Sequence, residues 1–195
     1  MQKILPILLL ALLPSFTHAK PALSLVEAAR SKVGVTLFYD PAYAKLAYPN
    51  GDVPLERGVC TDVVVRAYRK LGVDLQQLVH EDMEKAWDAY PHTQKWQLKK
   101  SDTNIDHRRV PNLAIFLARH GTTLAPSQTA RAYLPGDVVT WRLPGNLTHI
   151  GIVGDKQSGA GAPLMIHNIG GGAQEEDMLF KYAITGHYRW NPRSR

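Results

Sequence analysis

The chain has 195 residues, of which 45% are hydrophobic and 21% charged, and its formal net charge is +6. This length suits one domain with a hydrophobic core, and no repeat or low-complexity tract divides the sequence. The basic residues are scattered and no nucleic-acid-binding motif occurs, which excludes a nucleic-acid partner. A mildly basic chain instead favours anionic surroundings such as cell wall or lipid headgroups.

The N-terminal segment has the features of a secretory signal peptide. Lys3 precedes an apolar run over residues 4–13, and Thr17 and Ala19 place small residues at the two positions that signal peptidase reads. The run is too short to span a bilayer comfortably, although a retained membrane anchor is the alternative interpretation. We expect cleavage after Ala19, a single domain over residues 20–195, and no stable membrane insertion after cleavage.

The first part of that domain is predicted to be helical. Ser24 and Glu27 match a capping box, in which a hydroxyl and a carboxylate satisfy free N–H groups at a helix start. Apolar residues at helical spacing follow there and in three later segments, each of which ends near a glycine or proline. The predicted helices cover residues 25–33, 60–71, 75–89 and 111–119.

The last part of the chain is predicted to be a sheet. The segments DVVTW, THIGIVG, PLMIHNI and AITGHYRW are rich in β-branched and aromatic residues, and Gly, Pro and Asn separate them. Helices followed by strands describe an α+β fold, with N-terminal helices packed on an antiparallel β-sheet.

Cys60 is the only cysteine in the chain. Cysteines of exported proteins are usually paired, so a lone one indicates an intermolecular bridge or a functional thiol. The pattern places Cys60 in the first turn of a predicted helix, on the side of its apolar stripe. Free N–H groups and the helix dipole there favour a thiolate, and we expect a lowered thiol pKa. An inert buried cysteine is the alternative.

Two histidines on neighbouring predicted strands are candidate partners for this thiol. His149 alternates with Ile150 and Ile152, so it should face away from the side on which those isoleucines pack. His167 ends the next apolar strand, and adjacent antiparallel strands can bring such side chains into contact. A cysteine at a helix start, a histidine base and a polar third group form a triad of the papain type.

The loop NIDHRRVPN supplies candidate substrate ligands. His107, Arg108 and Arg109 are predicted to lie near a substrate channel, where arginine can bind a carboxylate through two hydrogen bonds. A solvated loop, or an ion pair with Asp106, is the alternative for the two arginines. A zinc site is conceivable, but no HExxH or close His-x-His spacing supports it, and we predict no metal and no cofactor.

Four blocks, GVCTDVVVRAYRKLG, LPGDVVTW, HIGIVGD and LMIHN, resemble the NlpC-type cysteine peptidases, which are papain-like bacterial cell-wall enzymes. The resemblance implies an NlpC-type fold with Cys60 as nucleophile, His149 as base and His167 as third residue. The Asp and Ser that usually flank this nucleophile, and are associated with gripping the substrate, are absent. Asp62 is the candidate that takes over this grip, and Asn168, in the last block, is a further substrate-binding candidate.

Blocks that span nearly the whole mature chain look like the YijF-like family of exported bacterial proteins, domain-of-unknown-function family 1287. They include YDPAY, NIDHRRVPNL, HNIGGG, EDMLF and ITGHYRW. The resemblance implies a periplasmic protein, which we expect to be a monomer. We predict a cysteine hydrolase that cleaves amide bonds in peptidoglycan stem peptides. An acyltransferase or transpeptidase on the same triad, and a non-catalytic cell-wall-binding module, are the alternatives.

Overall fold

The structure is a computed structural model that describes residues 24–91 and 99–192. The predicted signal peptide, residues 1–19, lies outside the described residues. Within the described ranges, no helix combines the length and the apolar character that crossing a membrane requires.

In the part of the chain that the structure describes, four α-helices form the first half of the domain, and each begins within a residue of its predicted start. The helices are α1 (Leu25–Arg30), α2 (Cys60–Lys70), α3 (Leu75–Lys85) and α4 (Val110–His120). At α1 the predicted capping box is confirmed, because Ser24 Oγ accepts from the Glu27 N–H at 3.2 Å while Glu27 Oε2 accepts from the Ser24 N–H at 2.9 Å. This helix ends earlier than predicted, since residues 32–36 form tight turn hydrogen bonds instead of continuing it.

Among the described residues, eight strands form two sheets. The strands are β1 (Phe38–Tyr39), β2 (Arg57–Gly58), β3 (Thr122–Leu124), β4 (Val138–Leu143), β5 (Leu147–Gln157), β6 (Pro163–Asn168), β7 (Ala173–Glu176) and β8 (Ala183–Arg189). The first two make a short parallel pair, and the other six form one antiparallel sheet in the order β3-β8-β4-β5-β6-β7. The predicted α+β architecture with an antiparallel sheet is confirmed.

The six-stranded sheet has an apolar cluster on each face. Ile150 and Ile152 pack into the larger cluster with the helices, whereas Trp141 and Val153 belong to a smaller cluster on the opposite face. Because side chains alternate along a strand, His149 falls on the face of the smaller cluster. Its ring centroid lies 5.7 Å from that of Trp141, which agrees with the orientation predicted from the sequence.

A buried arginine holds the long loop between α1 and α2 in place. Arg66, on α2, donates to the Asp52 carboxylate, to Thr36 Oγ1 at 2.9 Å and to three consecutive backbone carbonyls at residues 53–55. One guanidinium therefore fixes both ends of the segment that carries Tyr39. The parallel pairing of Tyr39 with Gly58 then brings this aromatic ring close to the start of α2.

Candidate active site

Cys60 is the first residue of α2, at the point where this helix meets the middle of the sheet. Ile152 of β5 pairs with Ile166 of β6. Next to this pair, Ile150 and Asn168 contact the chain that leads into α2. The Ile150 N–H lies beside the Cys60 thiol and lowers its pKa, and Asn168 Nδ2 donates to the Gly58 carbonyl at 3.0 Å. The start of α2 is thus fastened to the two strands that carry the candidate histidines.

The environment of the Cys60 thiol differs from the one predicted. Cys60 is only 4% exposed, and burial raises its pKa to about 12. The N–H groups of Ile150 and of the first residues of α2 lower this pKa, while the negative charge of Asp62 raises it. The predicted lowering of the thiol pKa is wrong, because the loss of hydration outweighs the favourable field at the helix start.

His149 and His167 are in direct contact. His149 Nε2 lies 3.0 Å from His167 Nδ1, with the two rings nearly perpendicular, and both residues are buried. Gly151 makes room for this arrangement, since a Cβ at that position would lie 3.0 Å from His167 Cβ. The structure therefore brings together the two histidines that the strand pattern selected.

Both histidines are neutral at neutral pH. Burial lowers the pKa of His149 to about 3, and the neighbouring His167 lowers it further. Burial also lowers the pKa of His167 to about 4, with a smaller contribution from the positive charge of Lys181. A neutral imidazole carries a lone pair on one ring nitrogen, so His149 can accept a proton.

Glu176, on β7, lies next to this pair and was missed from the sequence. Its Oε1 is 3.1 Å from His167 Nε2, although the carboxylate is not aligned for a hydrogen bond with that nitrogen. The strand register pairs His167 with Gln174, which makes Glu176 a diagonal neighbour on the same face. The sequence signal for Glu176 is the alternation of side chains along strands: extended across the turn after β6, it places Glu176 on the same face as His167.

Asp62 and Arg108, two predicted substrate ligands, form a buried ion pair with each other. Arg108 Nε and Nη2 each donate to the Asp62 carboxylate at 3.0 Å, and both side chains are at most 4% exposed. Asp62 also accepts from the Val59 N–H at 2.7 Å, while Arg108 donates to the carbonyls of Asp40 and Ala42. The pair ties the start of α2 to the loops around it.

The remaining predicted substrate ligands lie in different environments. Arg109 lines the cavity described below, and its Nη1 is 3.5 Å from Asp106 Oδ1. His107 is buried, and burial lowers its pKa to about 4. Asn168 uses both ends of its amide within the protein, since its Oδ1 accepts from the Gly170 N–H at 3.1 Å.

A cavity of about 260 Å³ opens beside Cys60. The residues that line it include Tyr39, Thr148, Arg108 and Arg109. Tyr39 is a second residue that sequence reasoning missed, because an isolated loop aromatic carries no periodic signal. Burial, followed by the nearby charges of Cys60 and Asp62, raises the pKa of its phenol to about 12. Within residues 24–91 and 99–192, no three His, Cys, Asp or Glu side chains are grouped to hold a metal ion.

Comparisons with known proteins place the chain in a family. The model of the family described as Domain of unknown function (DUF1287) matches residues 26–190. The Escherichia coli (strain K12) protein named "Uncharacterized protein YijF" is 56% identical over 173 residues, which cover 89% of this chain and 83% of the relative. The solved structure of NlpC1 from Trichomonas vaginalis is similar with a TM-score of 0.44 and 15% identity, over 85% of this chain and 43% of that one. This chain thus spans less than half of the NlpC1 chain.

Proposed function

The chain belongs to the DUF1287 family, and from the geometry of its site we propose that it is a cysteine hydrolase acting on amide bonds. Cys60 is the nucleophile, His149 the base and His167 the residue that orients the base. The observation that carries the proposal is the 3.0 Å contact between His149 and His167. Ile150, the neighbour of His149, has its backbone N–H beside the Cys60 thiol, and Cys60 lines the cavity, which supports a nucleophile and a base close together.

The neutral state of the site favours general-base activation over a resting ion pair. His149 Nε2 faces His167, so Nδ1 is the nitrogen left to accept the thiol proton. As this proton moves to Nδ1, the sulfur attacks the substrate carbonyl and forms a tetrahedral oxyanion. The protonated His149 then gives its proton to the leaving amine. Water, activated by the same nitrogen, hydrolyses the thioester and regenerates the thiol.

We assign two donors to the oxyanion. The first is the backbone N–H of Cys60, which lies in the first turn of α2, where N–H groups have no partner within the helix. The second is the Tyr39 hydroxyl, since Tyr39 lines the same cavity as Cys60. Fixed donors in a water-poor site stabilise developing negative charge strongly, and removing one typically lowers kcat about 100-fold or more.

The substrate that fits best is a peptide with a free carboxylate near the scissile amide. Arg109 is the cavity arginine that we assign to this carboxylate: its Nη1 lies 3.5 Å from Asp106 Oδ1, whereas Arg108 is held by two hydrogen bonds to Asp62 at 3.0 Å. Peptidoglycan stem peptides carry such carboxylates, and the predicted export signal would deliver the enzyme to them. We therefore propose an exported, periplasmic amidase or endopeptidase of the stem peptide.

The test compares the protein that comprises residues 20–195 with its Cys60→Ala variant. Each protein is incubated with purified peptidoglycan and with soluble muropeptides, and the products are identified by mass spectrometry. We expect the unaltered protein alone to release fragments, whose masses identify the cleaved bond. If both proteins leave all substrates intact while His149 still activates Cys60 toward alkylation, the substrate assignment is wrong. If the thiol is also unreactive, the hydrolase proposal fails.

Acyl transfer is a second candidate, favoured by one observation. Cys60 and His149 are 4% and 2% exposed, so bulk water has little access to the thioester. A bound amine or hydroxyl acceptor could then compete with water for the acyl group. Adding simple amines to the peptidoglycan reaction would distinguish the two: adducts that increase with amine concentration support transfer, and unchanged hydrolysis products support a hydrolase.

A further inference from the structure

We infer that Glu176 is a positioning residue that sets the direction of the hydrogen bond between His149 and His167. This inference deepens the proposed function and rests on it. Glu176 Oε1 lies 3.1 Å from His167 Nε2, while the other nitrogen of His167, Nδ1, contacts His149. The carboxylate is therefore in contact with the one His167 nitrogen that the triad leaves unused.

The direction matters because two neutral histidines can form their mutual hydrogen bond in either of two directions. In one arrangement His167 carries its proton on Nε2, beside Glu176, and its Nδ1 accepts from His149 Nε2–H. His149 Nδ1 then has a free lone pair, and under the proposed function it can act as the base for Cys60. In the other arrangement His167 Nδ1–H donates to His149, which places a proton on His149 Nδ1 and removes the base.

A carboxylate beside His167 Nε2 selects the first arrangement. An ionised carboxylate only accepts hydrogen bonds, so it stabilises the tautomer with a proton on Nε2 and opposes the one with a lone pair there. His167 is fully buried, and its Nε2 has no aligned hydrogen-bond partner among the described residues. A slight rotation of Glu176, whose side chain is 40% exposed, would satisfy this nitrogen.

The other charged groups nearby do not replace Glu176. Lys181 lies close enough to His167 to disfavour its protonated form, and so it helps keep the ring neutral. Glu175 precedes Glu176 on β7 but is paired with Ile166, and its carboxylate binds Arg30 and Lys156. Strand alternation thus directs Glu175 to the opposite face. Glu175→Gln is therefore a matched control for loss of the same charge.

The first measurement reads the tautomers directly. Long-range ¹H–¹⁵N correlation spectra of protein with ¹⁵N-labelled histidine are recorded for the unaltered chain and for Glu176→Ala, Glu176→Gln and Glu175→Gln. We expect the Nε2–H tautomer of His167 in the unaltered chain and in Glu175→Gln. Glu176→Ala should give a mixture, and Glu176→Gln should restore much of the Nε2–H form, because its amide oxygen still accepts. Circular dichroism confirms that each variant is folded.

The second measurement is the rate at which iodoacetamide alkylates Cys60 at pH 7, which needs no natural substrate. Glu176→Ala should react about fivefold more slowly than the unaltered chain, the effect expected of a half-exposed ionic contact. The inference is overturned if folded Glu176→Ala keeps both the Nε2–H tautomer and the full rate. It is also overturned if the unaltered chain holds a proton on His167 Nδ1. Both readouts are independent of whether peptidoglycan is cleaved, so failure of the substrate assignment is recognised separately.

Discussion

Removing the Asp62 carboxylate should destabilise the domain strongly. Asp62 accepts two hydrogen bonds from Arg108 and one from the Val59 N–H, and the guanidinium and carboxylate are at most 4% exposed. In Asp62→Ala the Arg108 charge would stay buried without its partner, which typically costs about 3–5 kcal/mol. Loss of the cap at the start of α2 adds about 1 kcal/mol. We expect the free energy of unfolding to fall by about 5 kcal/mol.

The assay is equilibrium urea unfolding followed by circular dichroism. Replacing both partners, as in Asp62→Leu with Arg108→Met, should recover most of the loss because no unpaired charge remains buried. Asp40→Ala is the control, since its ion pair with Arg57 is partly solvent-exposed and its loss should lower stability far less. If the free energy of unfolding of Asp62→Ala stays within about 1 kcal/mol of that of the unaltered chain while activity is lost, the assignment of Asp62 to a structural ion pair is refuted. The substrate grip predicted for Asp62 from the sequence would then be favoured.

Three further predictions concern the site and its pH dependence. The rate of Cys60 alkylation should be nearly independent of pH between 5 and 9, because His149 with a pKa of about 3 remains neutral over that range. In His149→Ala the rate should instead rise about tenfold per pH unit, as expected of an unassisted thiol with a pKa of about 12. Gly151→Ala should displace His167, lower stability by about 1–3 kcal/mol and reduce activity, since its Cβ would lie 3.0 Å from His167 Cβ; unchanged alkylation and urea midpoint would contradict this. Burial lowers the pKa of His107 from 6.5 to about 4. The folded state therefore binds a proton at His107 less well than the unfolded state does. The free energy of unfolding should decrease as the pH falls from 6.5 toward 4. The urea midpoint of His107→Gln should show a smaller decrease over that range, and an equal decrease would show that His107 is not responsible.

Local patterns predicted the parts of the fold that depend on local physics. The Ser24–Glu27 capping box, the start of α2 at Cys60 and the strand alternation around His149 are read from residues close in sequence. The contact between His149 and His167 also followed from alternation on two adjacent strands. Their catalytic roles remain a proposal, as do export, periplasmic location and the monomeric state.

The features missed from the sequence depend on contacts between distant segments. Asp62 and Arg108 are 46 residues apart, and no local pattern indicates that each satisfies the other. Tyr39 lines the same cavity as Cys60 because β1 pairs with β2 at the start of α2. The thiol pKa was misjudged for the same reason, since the helix start is visible in the sequence but the burial imposed by β5 is not.

The attachment of Cys60 to Ile150 has a consequence for the life of the thiol. The two residues are 90 positions apart in the sequence, so this contact requires that α2 and the sheet have packed together. Before that the chain presents an accessible cysteine with an ordinary pKa of about 8.5, which oxidants and other thiols can modify. Afterwards the same sulfur is buried, and only molecules that enter the cavity beside it can reach it. Folding therefore protects this thiol from the modification to which the unfolded chain is open.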